Sequence, residues 1–213
     1  MPRGFTLLQL IVAMAIVSGL TAFAMVILPG MRGRLPCNQG CAGIDLKQLC
    51  TYEAVWRTCD SDKNGVADYW VRDVAAFHAI HDANGKAIAL IALSFGRADA
   101  APAFVYPELG GIRSAKQGFC FRAMISDQDG TAYITGRNAP VTAPPAKGIC
   151  TNSSRFGFVA YPATYGLDGV ITYMVSEDGV VWQRDPGRTV PVPLDRSSTA
   201  PPGSDTTWSQ FGG

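Results

Sequence analysis

Charged residues are scarce in this chain of 213 residues, and the few that occur are almost balanced in sign. Lysine and arginine total 18 and aspartate and glutamate 17, so the formal net charge is +1. A surface that binds nucleic acid needs a cluster of basic residues, and this composition provides none. We therefore expect no nucleic-acid partner.

Motifs of catalysis and metal binding are also missing. There are two histidines, His78 and His81, and no cysteine or carboxylate pattern near them completes a zinc site. The sequence contains no CxxCH haem-attachment motif, no nucleophile elbow and no phosphate-binding loop. We therefore expect a protein that is not an enzyme, with no catalytic residues and no required cofactor.

The N-terminus holds a long apolar run, since the 24 residues 5–28 carry no formal charge. Such a run is long enough to cross a membrane as a helix. It also has features of a secretory signal, with Arg3 ahead of it and Ala22-Phe23-Ala24 in the small-x-small form of a cleavage site. A cut there would leave the strongly apolar Met25–Leu28 at the start of the mature protein.

The start of this run, Arg3-Gly4-Phe5-Thr6-Leu7-Leu8, resembles the prepilin-type N-terminus of type IV pilins and type II secretion pseudopilins. The resemblance implies that a dedicated peptidase cuts after Gly4 and that the new N-terminal Phe5 is methylated. It implies that the helix is kept, first as an anchor in the bacterial cytoplasmic membrane and then as the assembly element of a filament. The implied partners are other pilin or pseudopilin subunits, the prepilin peptidase and the inner-membrane assembly platform.

The fifth residue of the mature chain departs from this family's pattern, because it is usually glutamate and here it is Gln9. The resemblance implies that the glutamate pairs, within the bilayer, with the free amine of the neighbouring subunit's first residue. Glutamine can hydrogen-bond to that amine but cannot neutralise it. The resemblance also implies that, in secretion systems, the pseudopilin lacking this glutamate sits at the filament tip, so Gln9 favours a minor or tip subunit. The alternative is tolerated sequence drift.

We divide the chain into a leader of residues 1–4, a transmembrane and assembly helix of 5–29, a head of 30–187 and a flexible tail of 188–213. In a single-pass protein of this kind the head lies in the periplasm or on a surface filament. The alternative is a membrane-anchored periplasmic or extracellular binding domain that does not polymerise. The tail is rich in proline, serine and glycine. Its Trp208 and Phe211 are either stray apolar residues or dock on the sheet or a neighbouring subunit.

The head begins with the segment PCNQGC, over which Pro36 and Gly40 predict a loop. The apolar spacing that follows predicts a helix from Asp45 to Thr58.

The next segment, CDSDKNGVADYW, alternates oxygen-bearing side chains around a glycine, as calcium-binding loops do. The candidate calcium ligands are Asp60, Asp62, Asn64 and Asp68. The twelfth position of the EF-hand pattern is Val71, so Asp68 and Asp73 would have to replace the missing bidentate glutamate. The alternative is a turn rich in Asp and Asn that caps the next helix, since these residues do this without a metal.

The second half of the head carries two hairpin signatures, each an acidic turn ending in glycine between β-branched and aromatic residues. The turns are Asp127–Gly130 and Glu177–Gly179, and a further strand over Phe156–Ala160 lies between them. Four or five antiparallel strands on a preceding helix make an α+β domain. We therefore expect an α+β, pilin-like fold in which a long hydrophobic N-terminal helix precedes a helix packed on an antiparallel sheet.

Four segments of the head resemble a bacterial exported family of unknown function. They are DSDKNGVADYWVRDVAAFH, GFCFRAM, FGFVAYPATYG and GVITYMVSEDGVVWQRDPG. The resemblance implies an antiparallel sheet behind a long helix, and such domains occur behind prepilin-type N-termini. It implies no reaction.

The cysteines are even in number, which in a chain with export features indicates disulfides. The six are Cys37, Cys41, Cys50, Cys59, Cys120 and Cys150. Cys120 lies in a predicted hairpin strand and Cys150 just before the next strand, so we expect these two to be bridged. The other four can pair in three ways, and Cys37–Cys41 with Cys50–Cys59 is favoured.

Overall fold

The computed structural model describes residues 14, 35–61, 65–79, 81, 89–126, 131–133, 152–187 and 207–212. The chain divides into two compact units, Met1–Leu35 and Pro36–Gly213. Helices and a five-stranded antiparallel sheet make up the second unit, which confirms the predicted α+β class. Helices α1 to α3 cover Leu35–Cys59, Ala76–Ala79 and Leu93–Gly96, a 3-10 helix covers Pro107–Leu109, and strands β1 to β5 cover Phe119–Ala123, Gly157–Pro162, Thr172–Ser176, Val181–Arg184 and Ser209–Gln210.

Helix α1 begins ten residues earlier than predicted, at Leu35 rather than Asp45, and it ends at Cys59. The predicted loop over PCNQGC is therefore wrong. Pro36 lies in the first turn of the helix, where proline is tolerated because its missing N–H would have no helical partner there. Gly40 and Gly43 lie inside the helix rather than ending it.

The two faces of α1 differ in burial. A stripe at alternating spacings of four and three residues is buried, as expected for an amphipathic helix on a core. Its members are Ala42, Leu46, Leu49, Glu53 and Trp56. The opposite face is exposed, and Ile44 there keeps 55% of its surface and Val55 37%. Asp45 forms an ion pair with Lys116, which ties the helix to the loop before β1.

A chain of aromatic rings connects α1 to the sheet. The Trp56 ring lies 5.5 Å from that of Phe77, and the Phe77 ring lies 6.1 Å from that of Phe158 on β2. Trp70 packs on Trp56 at 5.1 Å. Edge-on and tilted pairs at these distances add to the stabilisation from burial, so these rings form the centre of the core.

The sheet is an antiparallel meander in the order β1-β2-β3-β4-β5. The predicted second hairpin is confirmed, because β3 pairs with β4 across the turn Glu177–Gly179. Asp178 stabilises this turn, since its Oδ1 accepts hydrogen bonds from the N–H of Val180 at 2.9 Å and the hydroxyl of Ser176 at 3.0 Å. Gly179 has a positive φ of 70°, which a glycine adopts without strain.

The predicted first hairpin is described only in part. Strand β1 pairs with β2, from Phe119 opposite Pro162 to Ala123 opposite Phe158. The segment after β1 adds an isolated bridge between Ser126 and Ala132, and residues 127–130 lie outside the described residues. The Tyr133 N–H also donates to the Ile125 carbonyl at 3.0 Å across this turn. Residues 134–136 lie outside the described residues, so the rest of the first hairpin stays a prediction.

The C-terminal end of the chain forms strand β5 on the open edge of β4. Gln183 pairs with Ser209, and the Phe211 N–H donates to the Val181 carbonyl at 2.8 Å. Trp208 is 5% exposed. The expectation of a flexible tail is therefore wrong for residues 207–212. The structure instead has the alternative, in which this segment docks on the sheet.

The described residues include no helix that combines the length and apolar character needed to cross a membrane. The predicted transmembrane segment of residues 5–29 lies outside the described residues, apart from Met14, which is helical.

Candidate functional site

The residues of the expected processing and assembly sites, Gly4, Phe5 and Gln9, lie outside the described residues. Cleavage after Gly4, methylation of Phe5 and a special role of Gln9 therefore stay predictions.

Two of the four candidate calcium ligands are described, Asp60 and Asp68, whereas Asp62 and Asn64 are not. Asp60 has a left-handed φ of 44°, and its Oδ2 accepts a hydrogen bond from the Gly65 N–H at 3.2 Å. This bond closes the loop and does not separate a metal-free turn from a calcium-binding loop. Within the described part of the chain, no group of three or more His, Cys, Asp or Glu side chains is arranged to hold a metal ion. Calcium binding stays a prediction.

The cysteines do not follow the expected pairing. Cys41, Cys50 and Cys120 carry free thiols in the structure. Cys50 and Cys59 both lie on α1, separated by about 13.5 Å of helical rise, whereas bridged Cα atoms lie within about 7 Å. The Cys50–Cys59 bridge is therefore wrong, and with Cys41 free the Cys37–Cys41 bridge is not formed either. Cys120 is free as well, so the expected Cys120–Cys150 bridge is not formed in the structure, and Cys150 itself lies outside the described residues.

Asp73 lies at the centre of a buried polar cluster, with no exposed surface. Its Oδ1 accepts hydrogen bonds from the Trp70 indole N–H at 3.1 Å and the Ala76 N–H at 3.0 Å. Its Oδ2 accepts from the Ala103 N–H and the Tyr106 hydroxyl, both at 2.7 Å. Asp73 therefore caps α2, fixes the Trp70 ring and holds the loop after α3. These four donors use the oxygens that a calcium site would need, so Asp73 does not fit the role of substitute ligand.

Asp99 makes a second set of contacts to the same segment. Its Oδ2 accepts hydrogen bonds from the N–H groups of Val74 at 2.6 Å and Ala75 at 2.9 Å, and its Oδ1 from Ala101 at 2.8 Å. Asp99 is 2% exposed. The two aspartates together join residues 73–76 to residues 99–106.

Burial raises the pKa of both carboxyls. For Asp99 burial and the nearby negative charge of Asp73 raise the pKa to about 7, opposed by its three backbone hydrogen bonds. All three groups around Asp99 are backbone N–H donors, which cannot accept a carboxyl proton, so the geometry suits an ionised group. Because folding partners occupy both oxygens of each residue, we assign the pair a structural role rather than that of a general base.

Glu53 is a third buried acid, on the core face of α1. Its Oε2 accepts a hydrogen bond from the Trp70 N–H at 3.0 Å. Its Oε1 has no hydrogen-bond partner among the described residues, and the same holds for the indole N–H of Trp56 one turn later. Burial raises the pKa of Glu53 well above its usual range, and the charge of Asp68 adds to the effect. The geometry therefore favours a neutral acid with its proton on Oε1.

No sequence motif predicts this cluster. The signal that the sequence offers is an isolated acidic residue among apolar ones, as in VRDVAAF and GRADAAP. Their partners are backbone N–H groups, which carry no motif. The two histidines make separate contacts in the structure. His78 Nδ1 lies 2.9 Å from the Ile91 carbonyl, and His81 Nε2 lies 3.6 Å from a Glu108 carboxylate oxygen.

Residues 118–210 match a family described as "Protein of unknown function (DUF2950)". The match covers less than half of the chain and extends from β1 to β5. It contains three of the four segments that resemble an exported family, and it assigns no activity. No curated protein and no solved structure matches the chain.

Proposed function

We propose that the chain is a pilin-like or pseudopilin subunit of a type IV pilus or type II secretion filament, and a minor or tip subunit of it. The observation that carries the proposal is the sequence Arg3-Gly4-Phe5-Thr6-Leu7-Leu8 directly before an uncharged run that ends at residue 28. The finer fold expected of such a subunit, a long apolar helix leading into the head, is part of the proposal.

Helix α1 supports the proposal through the character of its exposed face. That face holds neutral side chains, among them Ile44, Gln48, Thr51 and Val55, and its exposed charges are Lys47 and Arg57. A helix face of low charge can pack against neighbouring helices without costly desolvation of ions. The mechanism proposed is therefore packing, in which apolar helices bundle while the α+β heads face outward, and no reaction is assigned.

The proposal includes a location and partners. The subunit is made as a single-pass protein of the bacterial cytoplasmic membrane with its head in the periplasm, and it is then extracted into a filament. The partners are other pilin or pseudopilin subunits, the prepilin peptidase and the assembly platform. A packing function requires no cofactor. Calcium bound at the Asp60–Asp68 loop would be an additional ligand, which titration of the metal-free protein with calcium would detect.

Two substitutions separate prepilin processing from an ordinary secretory signal. Gly4→Val removes the residue after which the prepilin peptidase cuts. When this variant is expressed together with the peptidase, the chain should therefore keep residues 1–4. Ala24→Leu removes the small residue that a signal peptidase needs, and it should leave processing unchanged. If Ala24→Leu blocks processing and Gly4→Val does not, the proposal is wrong.

A second candidate function is a membrane-anchored binding domain that does not polymerise, and it is favoured by a cleft lined by Arg97 and Arg113. Sheared filaments distinguish the two candidates. A subunit should be found in them at low abundance beside a glutamate-bearing major pilin, and Gln9→Glu should alter its incorporation without changing the fold. A tethered binding domain should be absent from filaments whether residue 9 is glutamine or glutamate.

A further inference from the structure

A cleft of about 210 Å³ lies between the end of α3 and the loop that follows the 3-10 helix. Its inner wall is apolar and contains Phe104, Tyr106 and Leu109, with the first two rings edge-on at 6.1 Å. At its mouth, Val105 and Ile112 keep 89% and 55% of their surface exposed. Exposed apolar side chains beside a concave apolar wall are typical of a ligand site.

Two arginines supply the polar part of the lining. Arg97 donates from Nε to the Leu109 carbonyl at 2.9 Å, and Arg113 donates from a terminal guanidinium nitrogen to the Ala100 carbonyl at 3.3 Å. These bonds restrain both side chains and use only one of the five N–H donors of each. Neither arginine is in the ion pairs seen among the described residues, which join Lys116 to Asp45 and His81 to Glu108, and neither has a carboxylate partner there.

Asp99 also lines the cleft, but its oxygens are directed to backbone N–H groups. Oδ2 binds Val74 and Ala75, and Oδ1 binds Ala101. The cleft therefore contains two guanidinium groups and one carboxylate that is already satisfied, with a net charge of +1 when Asp99 is ionised. An anion in the cleft would therefore meet guanidinium N–H donors that are not already paired with a carboxylate.

We propose that this cleft binds a small monocarboxylic acid with a short apolar or aromatic body. The carboxylate is held by the guanidinium groups of Arg97 and Arg113, and the body packs on Phe104, Leu109 and Ile112. A cavity of about 150 Å³ holds a benzene ring, so the cleft accommodates one ring with a carboxylate. Arginine suits this task because its planar donors match the two oxygens of a carboxylate. The proposal does not rest on assembly into a filament.

The probe is phenylacetate, titrated by ligand-observed NMR against the full chain in detergent micelles, with protein-free micelles as the blank. Phenethylamine presents a similar body with the opposite charge. We expect saturable binding of phenylacetate and at least about tenfold weaker binding of the amine, as expected for loss of charge-assisted hydrogen bonds. Equal binding of the two, or no saturation by about 10 mM phenylacetate, overturns the proposal.

Two exposed positions provide the variants, because changes there leave the core intact. Arg113→Gln should weaken phenylacetate binding at least about fivefold through the lost charge, and Ile112→Ser should weaken it through lost apolar contact. Arg122→Gln, on β1 away from the cleft lining, is the matched control and should bind as the parent does. Thermal unfolding verifies that each variant is folded. If Arg113→Gln and Arg122→Gln bind phenylacetate equally, the site is not this cleft.

Discussion

The ring of Phe211 occupies the space that a side chain at Gly43 would need. A Cβ atom on Gly43 would lie 2.7 Å from Cε1 and 2.8 Å from Cζ of that ring. Phe211 also packs edge-on against Tyr173 at 5.5 Å, and the Lys47 ammonium lies 5.7 Å from its centroid. The last residues of the chain are thus held between helix α1 and the sheet.

We expect Gly43→Ala to displace Phe211 and release β5, because the new methyl group and the ring cannot share this space. Amides of residues 207–212 should then exchange hydrogen about tenfold faster or more, as measured by mass spectrometry. Gly40→Ala is the matched control on the same helix, since a Cβ there meets nothing within 4 Å. It should stabilise the protein by about 0.5–1 kcal/mol and leave exchange at 207–212 unchanged. Identical behaviour of the two variants would contradict the role of Phe211.

Asp73→Asn tests the buried polar cluster. The amide nitrogen would face N–H donors that now bind a carboxylate oxygen, so we expect a loss of about 2–4 kcal/mol in the free energy of unfolding. Denaturant titration followed by tryptophan fluorescence measures this loss, since Trp70 itself bonds to Asp73. Asp185→Asn, at an exposed aspartate with two hydrogen bonds, should cost less than about 1 kcal/mol. Equal costs would mean that burial of the Asp73 network contributes nothing special.

The pH dependence of stability should reveal Glu53. Because burial raises its pKa in the folded state, the unfolded chain ionises first as pH rises, and the free energy of unfolding falls. The titration of Glu53 should lower the free energy of unfolding by about 1.4 kcal/mol per pH unit. This decrease extends from just above its ordinary pKa of about 4.3 up to its pKa in the folded state. Glu53→Gln keeps an acceptor for the Trp70 N–H and removes the titration. The difference in stability between the Glu53→Gln variant and the parent chain should therefore grow with pH, and a constant difference between about pH 5 and 7 would contradict a neutral Glu53.

Thiol reactivity should differ sharply along α1. Burial raises the pKa of the Cys50 thiol to about 12, while Cys59 is exposed. Because the thiolate is the nucleophile, we expect iodoacetamide at about pH 8 to label Cys59 at least about tenfold faster than Cys50. Peptide mapping of the same sample under non-reducing conditions also tests whether Cys120 is free, as it is in the structure. Rapid labelling of Cys50 would mean that this helix face is not buried against Ser176, whose carbonyl lies 4.0 Å from the Cys50 sulfur.

Local patterns predicted those parts of the fold whose partners are close in sequence. The β3–β4 hairpin follows from an acidic turn ending in Gly179 between apolar strands. The start of α1 was missed because Pro36 and Gly40 are also typical of loops. The glycine at position 43 is explained by Phe211 at the other end of the chain, a contact that no local pattern contains.

Non-local contacts also explain the remaining differences. Strand β1 pairs with β2, a partner that lies far from it in the sequence, and no local pattern specifies that pairing. The roles of Asp73 and Asp99 depend on backbone N–H groups brought together by folding. Sequence patterns identified the acidic loop at Asp60 but could not separate a calcium ligand from an aspartate that caps a turn, since both use the same residue types.

The mass of the N-terminal peptide of the mature chain, isolated from cells that carry a prepilin peptidase, tests the proposed function most directly. The account predicts a chain that begins at Phe5 with a methylated amine. A mature chain that begins at Met25 would mean an ordinary secretory signal and would contradict assembly through a retained N-terminal helix.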